Sequence, residues 1–461
     1  MIALTLADIA KITGAVPDLV ADPGALAGSV VIDSRKAGPG ALFVALPGEH
    51  VDGHDFAGAA VAAGAVAVLA TRPVGVPALV TPDVLAALAA LARAVTDALP
   101  HLTIAGITGS VGKTTTKDLA AQLVERLGPT VAPQGSYNNE IGHPLTVLRV
   151  TEETRYLVLE LSARGAGHIT QLCQIAPPTL GVVLCVGHAH TGEFGGIDAV
   201  ARAKGELPAA LPATGVALLN SDDPRVLAMA GRTDARVVTF GRGGDATVRA
   251  ADVQLDGTGR AAFTLVTPDG SAPVRLRLVG EHNVINALAA AALARELGLP
   301  VAAAAEGLSA AVPRSRWRME VTERADGVTV INDAYNANPE GMAAAIETLA
   351  VVARGRRAIA VLGPMNELGS ESRLRHEEVG ALAARAGVAG LIVVGEDATP
   401  MLSGARAERS WRGELLGVPD AGSALAALGN LLTPGDVVLV KASRAVGLER
   451  VALALTGEAA Q

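Results

Sequence analysis

The sequence predicts an α/β protein built as three domains, and three observations lead there. At 461 residues the chain exceeds what one core usually serves, and about 150 residues per domain suggests three. From Thr103 onward, apolar strand-length runs alternate with helix-length segments, the rhythm of a mostly parallel sheet covered on both faces. After Pro313 a fresh αβ series begins, as expected of a second, smaller doubly wound sheet. The divisions fall at 1–98, 99–312 and 313–461.

In the first segment the short apolar runs Ser29–Ile32, Leu42–Leu46, Ala65–Ala70 and Ala78–Thr81 read as strands, and the Ala/Leu-rich stretch Pro82–Leu99 as a helix stopped at Pro100. The second carries strands at Thr103–Gly109, Tyr156–Leu161, Leu180–Val186, Val216–Asn220 and Val237–Phe240. Within it, Ala251–Gly280 alternates polar and apolar residues, with turn signals at Asp256-Gly257 and Asp269-Gly270, so an inserted β-rich patch is expected. The third carries strands at Val328–Ile331, Ala358–Leu362, Leu391–Val394 and Val437–Val440. No repeat or low-complexity tract interrupts this order.

Half the residues are apolar and 18% are charged, which fits a packed globular chain. The net charge of −8 supplies no global positive field for nucleic acid, so any polyanionic ligand must be held by a local cluster of donors. The N-terminus meets Asp8 before any positive charge, unlike a secretory signal. Polar residues break every Ala-rich run short of the roughly 20 residues a membrane span needs. Two cysteines, Cys173 and Cys185, are too few for a disulfide scaffold and read as buried thiols. These features together point to the cytoplasm.

The sharpest local signal is TIAGITGSVGKTTTKD, Thr103–Asp118. An apolar strand enters a glycine-rich turn and a helix follows. Gly109 and Gly112 let the backbone approach phosphate oxygens, with Ser110 and Val111 between them, and the helix adds its positive end. Lys113 is placed to neutralise β/γ-phosphates and the Thr114 hydroxyl to ligate Mg²⁺, with Thr115 beside it. The first glycine of the usual G-x-x-x-x-G-K loop would fall on Ile107, whereas the glycine stands one place earlier at Gly106.

That displaced spacing, within G-x-T-G-S-x-G-K-T-T-T-K, resembles the nucleotide loop of the Mur ligases, and Ser110-Val111 is similar to the tripeptide–D-alanyl-D-alanine ligase branch. The resemblance extends in order along the chain: Glu160 in YLVLEL, His190 in VGHAHTGEFG, Lys204 in ARAKGEL, His282-Asn283, Arg318 in RWRMEV, and Asp333 in VINDAYNANP. It implies ATP as substrate and two Mg²⁺ sites. Glu160 and His190 would ligate one ion, with Thr114 from the loop, and Lys204, carbamylated, would ligate the other. It also implies that His282 and Asn283 lie beside the adenine, Asp333 on the ribose, and Arg318 at the terminal phosphates.

Asp33-Ser34-Arg35 and Asp52-Gly53-His54 look like the UDP-sugar domain of the family, so Ser34, Arg35 and His54 are expected at that substrate. Asn138, Asn139, Tyr335, Asn336 and Asn338 are expected at the peptide substrates; DAYNANP and Met365–Gly369 are similar to the D-alanyl-D-alanine-adding branch. The implied architecture is a small α/β UDP-binding domain, a central P-loop ATPase domain and a C-terminal Rossmann-like domain. The implied activity is ATP-dependent ligation of D-alanyl-D-alanine to UDP-N-acetylmuramoyl tripeptide by a monomer, without nucleic acid or membrane insertion. Two alternatives stay open at this point: another ligase of the superfamily, adding a diamino acid or glutamate, and a nucleotide-dependent regulatory switch.

Overall fold

The computed structural model describes residues 1–48, 51–188 and 191–458. Among them the strands form three main sheets and a two-stranded ribbon (Leu4–Thr5 with Leu26–Ala27). Each main sheet occupies a separate stretch of the chain.

The first sheet runs Val16–Asp18, Ala78–Val80, Ala65–Ala70, Ala41–Val44, Ser29–Val31, parallel except at the Val16–Asp18 edge. Four of its strands fall where the sequence puts them. The helix Leu6–Thr13 starts at the Thr5 cap and stops at Gly14, which holds φ 66, and Val16–Asp18 is held as an edge strand by pairing with Ala78–Val80. The helix Val84–Asp97 is capped by Asp83, whose side chain accepts the Ala86 N–H at 2.9 Å. Such a cap contributes about 1 kcal/mol. Its apolar residues Leu88, Leu91 and Val95 belong to one continuous core that also takes in Leu145, Leu157, Ile169 and Leu172 from the central segment. First and central domains therefore share buried apolar surface.

The central sheet has nine strands, and the expected β insertion is its extension rather than a separate patch. Val248–Leu255 pairs parallel with Arg236–Gly241, and Arg260–Thr267 and Gly270–Val279 add antiparallel strands beyond it. Pro273 sits on the outermost strand, where a missing N–H is tolerated. Thr103–Thr108 lies between Tyr156–Glu160 and Leu180–Val183, both parallel to it. The chain thus winds outward on both sides of that strand, and a crevice opens beyond its carboxyl end. The helix Asn283–Glu296 packs with the loop helix Lys113–Val124 over one face; its run of alanines allows a close approach.

The third sheet is six-stranded, with Val437–Lys441 between Thr329–Asn332 and Ala358–Leu362. It gains two strands that sequence alone did not indicate, Glu414–Val418 and the antiparallel edge Glu320–Glu323. No helix among the described residues is long and apolar enough to cross a membrane.

Candidate active site

A cavity of about 1010 Å³ opens between the carboxyl ends of the central strands and the third domain. Its floor is the glycine-rich loop. Gly112 holds φ 83, and a side chain there would run into Asn286 Oδ1, so only glycine fits the turn. The helix Lys113–Val124 starts immediately after it and directs its positive end into the cavity. Lys113, half-buried, donates from Nζ to the Gly109 carbonyl at 2.7 Å. Desolvation, the largest influence, lowers the pKa of its ammonium.

Glu160 ends the strand beside the loop, in register with Ile107, and is buried. Its Oε2 accepts from Thr114 Oγ1 at 2.8 Å and its Oε1 from Asn138 Nδ2 at 2.7 Å. Ser136 Oγ lies 3.0 Å from Thr114 Oγ1 and accepts from Arg318 Nη2 at 2.8 Å. Thus a carboxylate, two hydroxyls and a guanidinium converge on one point.

Arg318 reaches this point from the third domain. Its guanidinium stacks 4.3 Å from the Tyr335 ring centroid, which fixes its plane. The flanking Trp317 and Met319 hold left-handed φ values of 59 and 52, so the turn presenting Arg318 is strained. Asp333 holds it in place by accepting the Met319 N–H at 3.0 Å. Lys441, buried at the end of its strand, pairs with Asp333 Oδ2 at 2.5 Å and donates to the Asn336 carbonyl at 2.9 Å.

At the other end, His282 and Asn283 open the helix that packs on the loop. Burial lowers the pKa of His282. The Asn283 amide donates to the Val279 carbonyl at 2.9 Å and accepts from Asn286 at 2.9 Å, which anchors that helix start.

The cavity brings together Ser110 through Thr115, Asn138, Asn139, Glu160, His282, Asn283, Arg318, Asp333, Tyr335, Asn336 and Asn338. Two of these side chains serve their own helices. Asn139 Oδ1 accepts the Gly142 N–H at 2.9 Å, and Asn338 Oδ1 caps its helix through the Gly341 N–H at 2.8 Å. Gly109 and Lys204 lie behind the lining, with Lys204 buried close to Lys113. Burial first, and Lys113 second, lower the pKa of the Lys204 amine to about 7. His190 lies outside the described residues.

Ser34, Arg35 and His54 are in the first domain and do not line this cavity. His54 has protein partners at both ring nitrogens. Its ring is buried, Nδ1 lies 2.6 Å from Asp52 Oδ1, and Nε2 accepts from the Thr71 N–H at 3.0 Å. With both nitrogens engaged, the ring ties the Gly53–Phe56 turn to Thr71. Arg35 is exposed and folds back on Asp33 through Nε and Nη2, both at 2.9 Å. Cys185 likewise departs from the buried thiol expected of it, since it lines the cavity.

Ser136, Asn286, Glu340 and Lys441 also line the cavity and were missed as site residues. Only Lys441 left a usable sequence signal, a lysine at the carboxyl end of an apolar strand.

A magnesium ion prefers hard oxygen donors, and the Thr114 and Glu160 oxygens supply two adjacent ones. Those residues fit one ion. Among the described residues no cluster of three or more His, Cys, Asp or Glu side chains surrounds a common point. Lys204 fits a ligand role only after losing its proton, because an ammonium has no lone pair to offer.

Comparison with known proteins agrees with this geometry. Family models match consecutive parts of the chain: "Mur ligase family, catalytic domain" at residues 28–103, "Mur ligase middle domain" at 107–294 and "Mur ligase, glutamate ligase domain" at 317–444. The UDP-N-acetylmuramoyl-tripeptide--D-alanyl-D-alanine ligase of Mycobacterium tuberculosis (strain ATCC 25618 / H37Rv) is 50% identical, over 99% of this chain and 98% of its own. The Escherichia coli (strain K12) enzyme of the same name is 38% identical over 93% of each. Among solved structures, MurF from Acinetobacter baumannii superposes with a TM-score of 0.88 at 31% identity, covering 99% of both chains. MurF ligase from Thermotoga maritima in complex with ADP gives 0.77 at 31% identity, covering 92% of this chain and 96% of that one. With three family models matched in order along the chain and relatives 50% and 38% identical over nearly its full length, this chain belongs to the Mur ligase family.

Proposed function

We propose that this protein is an ATP-dependent ligase that joins D-alanyl-D-alanine to the terminal carboxylate of UDP-N-acetylmuramoyl tripeptide, making the pentapeptide precursor of peptidoglycan in the cytoplasm. The domain limits 1–98, 99–312 and 313–461 belong to this reading: first domain for the UDP-sugar, second for ATP, third for the incoming dipeptide. The observation that carries it is the convergence of Lys113, Thr114, Glu160 and Arg318 on one cavity, with full-length likeness to proteins named for this reaction.

In the first step the tripeptide carboxylate attacks the γ-phosphorus of ATP, giving an acyl phosphate and releasing ADP. The D-alanyl-D-alanine amine then attacks the acyl carbon. A C–N bond forms, the C–O bond to phosphate breaks, and the amine loses a proton as phosphate leaves. Lys113 and Arg318 line the cavity, and on this reading they stabilise the negative charge that builds in both steps, since a preorganised cation need not reorganise at the moment of reaction. Divalent ions held by Thr114, Glu160, His190 and Lys204 would screen the two anions that must meet. Tyr335 holds the Arg318 plane and Lys441 holds Asp333.

Lys204 belongs to this reading as a carbamate. Its amine is neutral to a large extent near neutrality, because burial and Lys113 both disfavour the ammonium. Only the neutral amine adds CO₂, and the product offers carboxylate-like oxygens.

The deciding experiment is phosphate release with ATP and Mg²⁺, with each substrate omitted in turn. Release that requires both UDP-tripeptide and D-alanyl-D-alanine is expected. Release driven instead by a diamino acid or glutamate would reassign the substrate, and ATP binding without turnover would favour a switch.

A further inference from the structure

A relay of contacts runs from the nucleotide loop to the third domain, and none of the chemistry above uses it. Ser110 Oγ accepts the Gly187 N–H at 2.8 Å and donates to the Gly187 carbonyl at 3.3 Å, so the loop and this peptide set each other's position. From the opposite side comes Glu340, the second residue of the helix Pro339–Val352. Its Oε1 accepts the His188 N–H at 2.8 Å and lies 2.7 Å from His188 Nδ1. The carboxylate lies flat against Gly187; a Cβ there would meet the carboxyl carbon at 2.5 Å. The other oxygen, Oε2, is buried with no hydrogen-bond partner.

A second contact clamps the same segment further along. The Gly192 N–H donates to the Glu367 carbonyl at 3.1 Å, and Gly192 meets Gly369 backbone to backbone. Glu367 holds a left-handed φ of 64, a strained state for a residue with a side chain. Its loop is pinned within the third domain: the Met365 N–H donates to His376 Nε2 at 3.0 Å and the Asn366 N–H to Ser443 Oγ at 3.0 Å. A third-domain loop held at two backbone N–H groups thus meets the central domain at Gly192.

We propose that Glu340 is a positioning residue: it transmits docking of the third domain to the phosphate loop through His188, Gly187 and Ser110, and the Gly192–Gly369 contact is its second anchor. The carboxylate takes two central-domain donors when the domains are together, and about a third of its side chain remains exposed, so the contact acts by fixing position more than by burying charge. Glycine at 187 and 192 admits this approach, since a side chain at either would strike the third domain. Docking therefore sets the phosphate loop and Arg318 in register in one event.

The proposal rests on the ligase reading for its kinetic arm alone. The test compares full-length wild type, Glu340→Ala, Glu340→Gln and Gly192→Ala. It reads kcat and KM by phosphate release. It also reads compaction by small-angle scattering when a non-hydrolysable ATP analogue and UDP-tripeptide are added. Glu340→Ala and Gly192→Ala are expected to lower kcat about 10- to 100-fold, the scale for sub-ångström to ångström misplacement, with KM for ATP within about twofold. Both should lose ligand-induced compaction. Glu340→Gln, which keeps an oxygen acceptor for the His188 N–H, should fall between them and wild type. Wild-type kcat in Glu340→Ala, or a lowered kcat with wild-type compaction, overturns the proposal. A wild-type protein that releases no phosphate counts against the ligase reading instead, and the scattering comparison then decides the latch by itself.

Discussion

Thr114 and Glu160, 46 positions apart in the chain, meet through a 2.8 Å hydrogen bond from the Thr114 hydroxyl to the Glu160 carboxylate. The bond joins the first turn of the loop helix to the end of the neighbouring parallel strand, and it places both side chains at the cavity floor.

Replacing Glu160 by Gln keeps the shape but removes the charge, and it turns an amide N–H₂ toward either Thr114 or Asn138. Turnover is expected to fall about 10²-fold or more, and half-maximal activity should need more Mg²⁺. A Mg²⁺ titration of phosphate release checks this. An unchanged titration midpoint would remove Glu160 from the metal role.

Lys113→Ala removes the loop cation proposed to face the phosphates and should reduce kcat about 10²–10³-fold. Stability should hold or rise, because the folded state no longer desolvates an ammonium. Thermal melting alongside steady-state kinetics separates the two effects. Near-normal turnover in a well-folded variant would defeat the loop assignment.

If Lys204 works as the proposed carbamate, Lys204→Ala should be nearly inactive and should recover activity with added acetate or formate, small carboxylates that would stand in for it. Lys204→Arg should be inactive and stay so, since it keeps the wrong charge. Mass spectrometry of the native protein in bicarbonate should show a 44 Da addition that acid removes, 44 Da being about the mass of the CO₂ taken up by the neutral amine. Ordinary activity of Lys204→Ala in bicarbonate-free buffer would leave Lys204 a packing residue.

His143 governs a pH effect far from the chemistry. Its ring is fully buried, and desolvation, opposed only in part by the nearby Leu172 backbone, lowers its pKa to about 4 from 6.5. Between those values the unfolded chain binds more protons than the folded one. The stability contributed by a neutral His143 is therefore complete above about pH 6.5 and is lost as pH falls to about 4, at a cost of about 3 kcal/mol. His143→Leu should flatten that part of the pH–stability curve. Denaturant melts from pH 7 to 4 provide the measurement, and parallel curves for wild type and variant would show that His143 titrates normally.

The chain's local order was enough to mark the α/β class and the placement of the phosphate loop. Short apolar runs with β-branched or aromatic residues, such as Tyr156–Glu160 and Ala358–Leu362, read as buried strands, and a Gly-rich turn between such a strand and GKTT reads as a phosphate-loop helix start. Family resemblance then put Glu160, Arg318 and Asp333 at one site, and the fold brings them to one cavity. What sequence could not decide was which polar atoms remain available. In the fold the His54 ring nitrogens are taken by Asp52 and Thr71, and the Oδ1 atoms of Asn139 and Asn338 by the starts of their own helices. That outcome depends on side-chain partners set by packing, and local spacing carries no record of it. The same holds for the Glu340 contact with His188 and for Lys441 with Asp333, pairs 152 and 108 residues apart. Local sequence sets elements because propensity and periodicity act over a few residues. Only the tertiary structure sets partners far apart in the chain, because folding decides which donors and acceptors come within reach of one another.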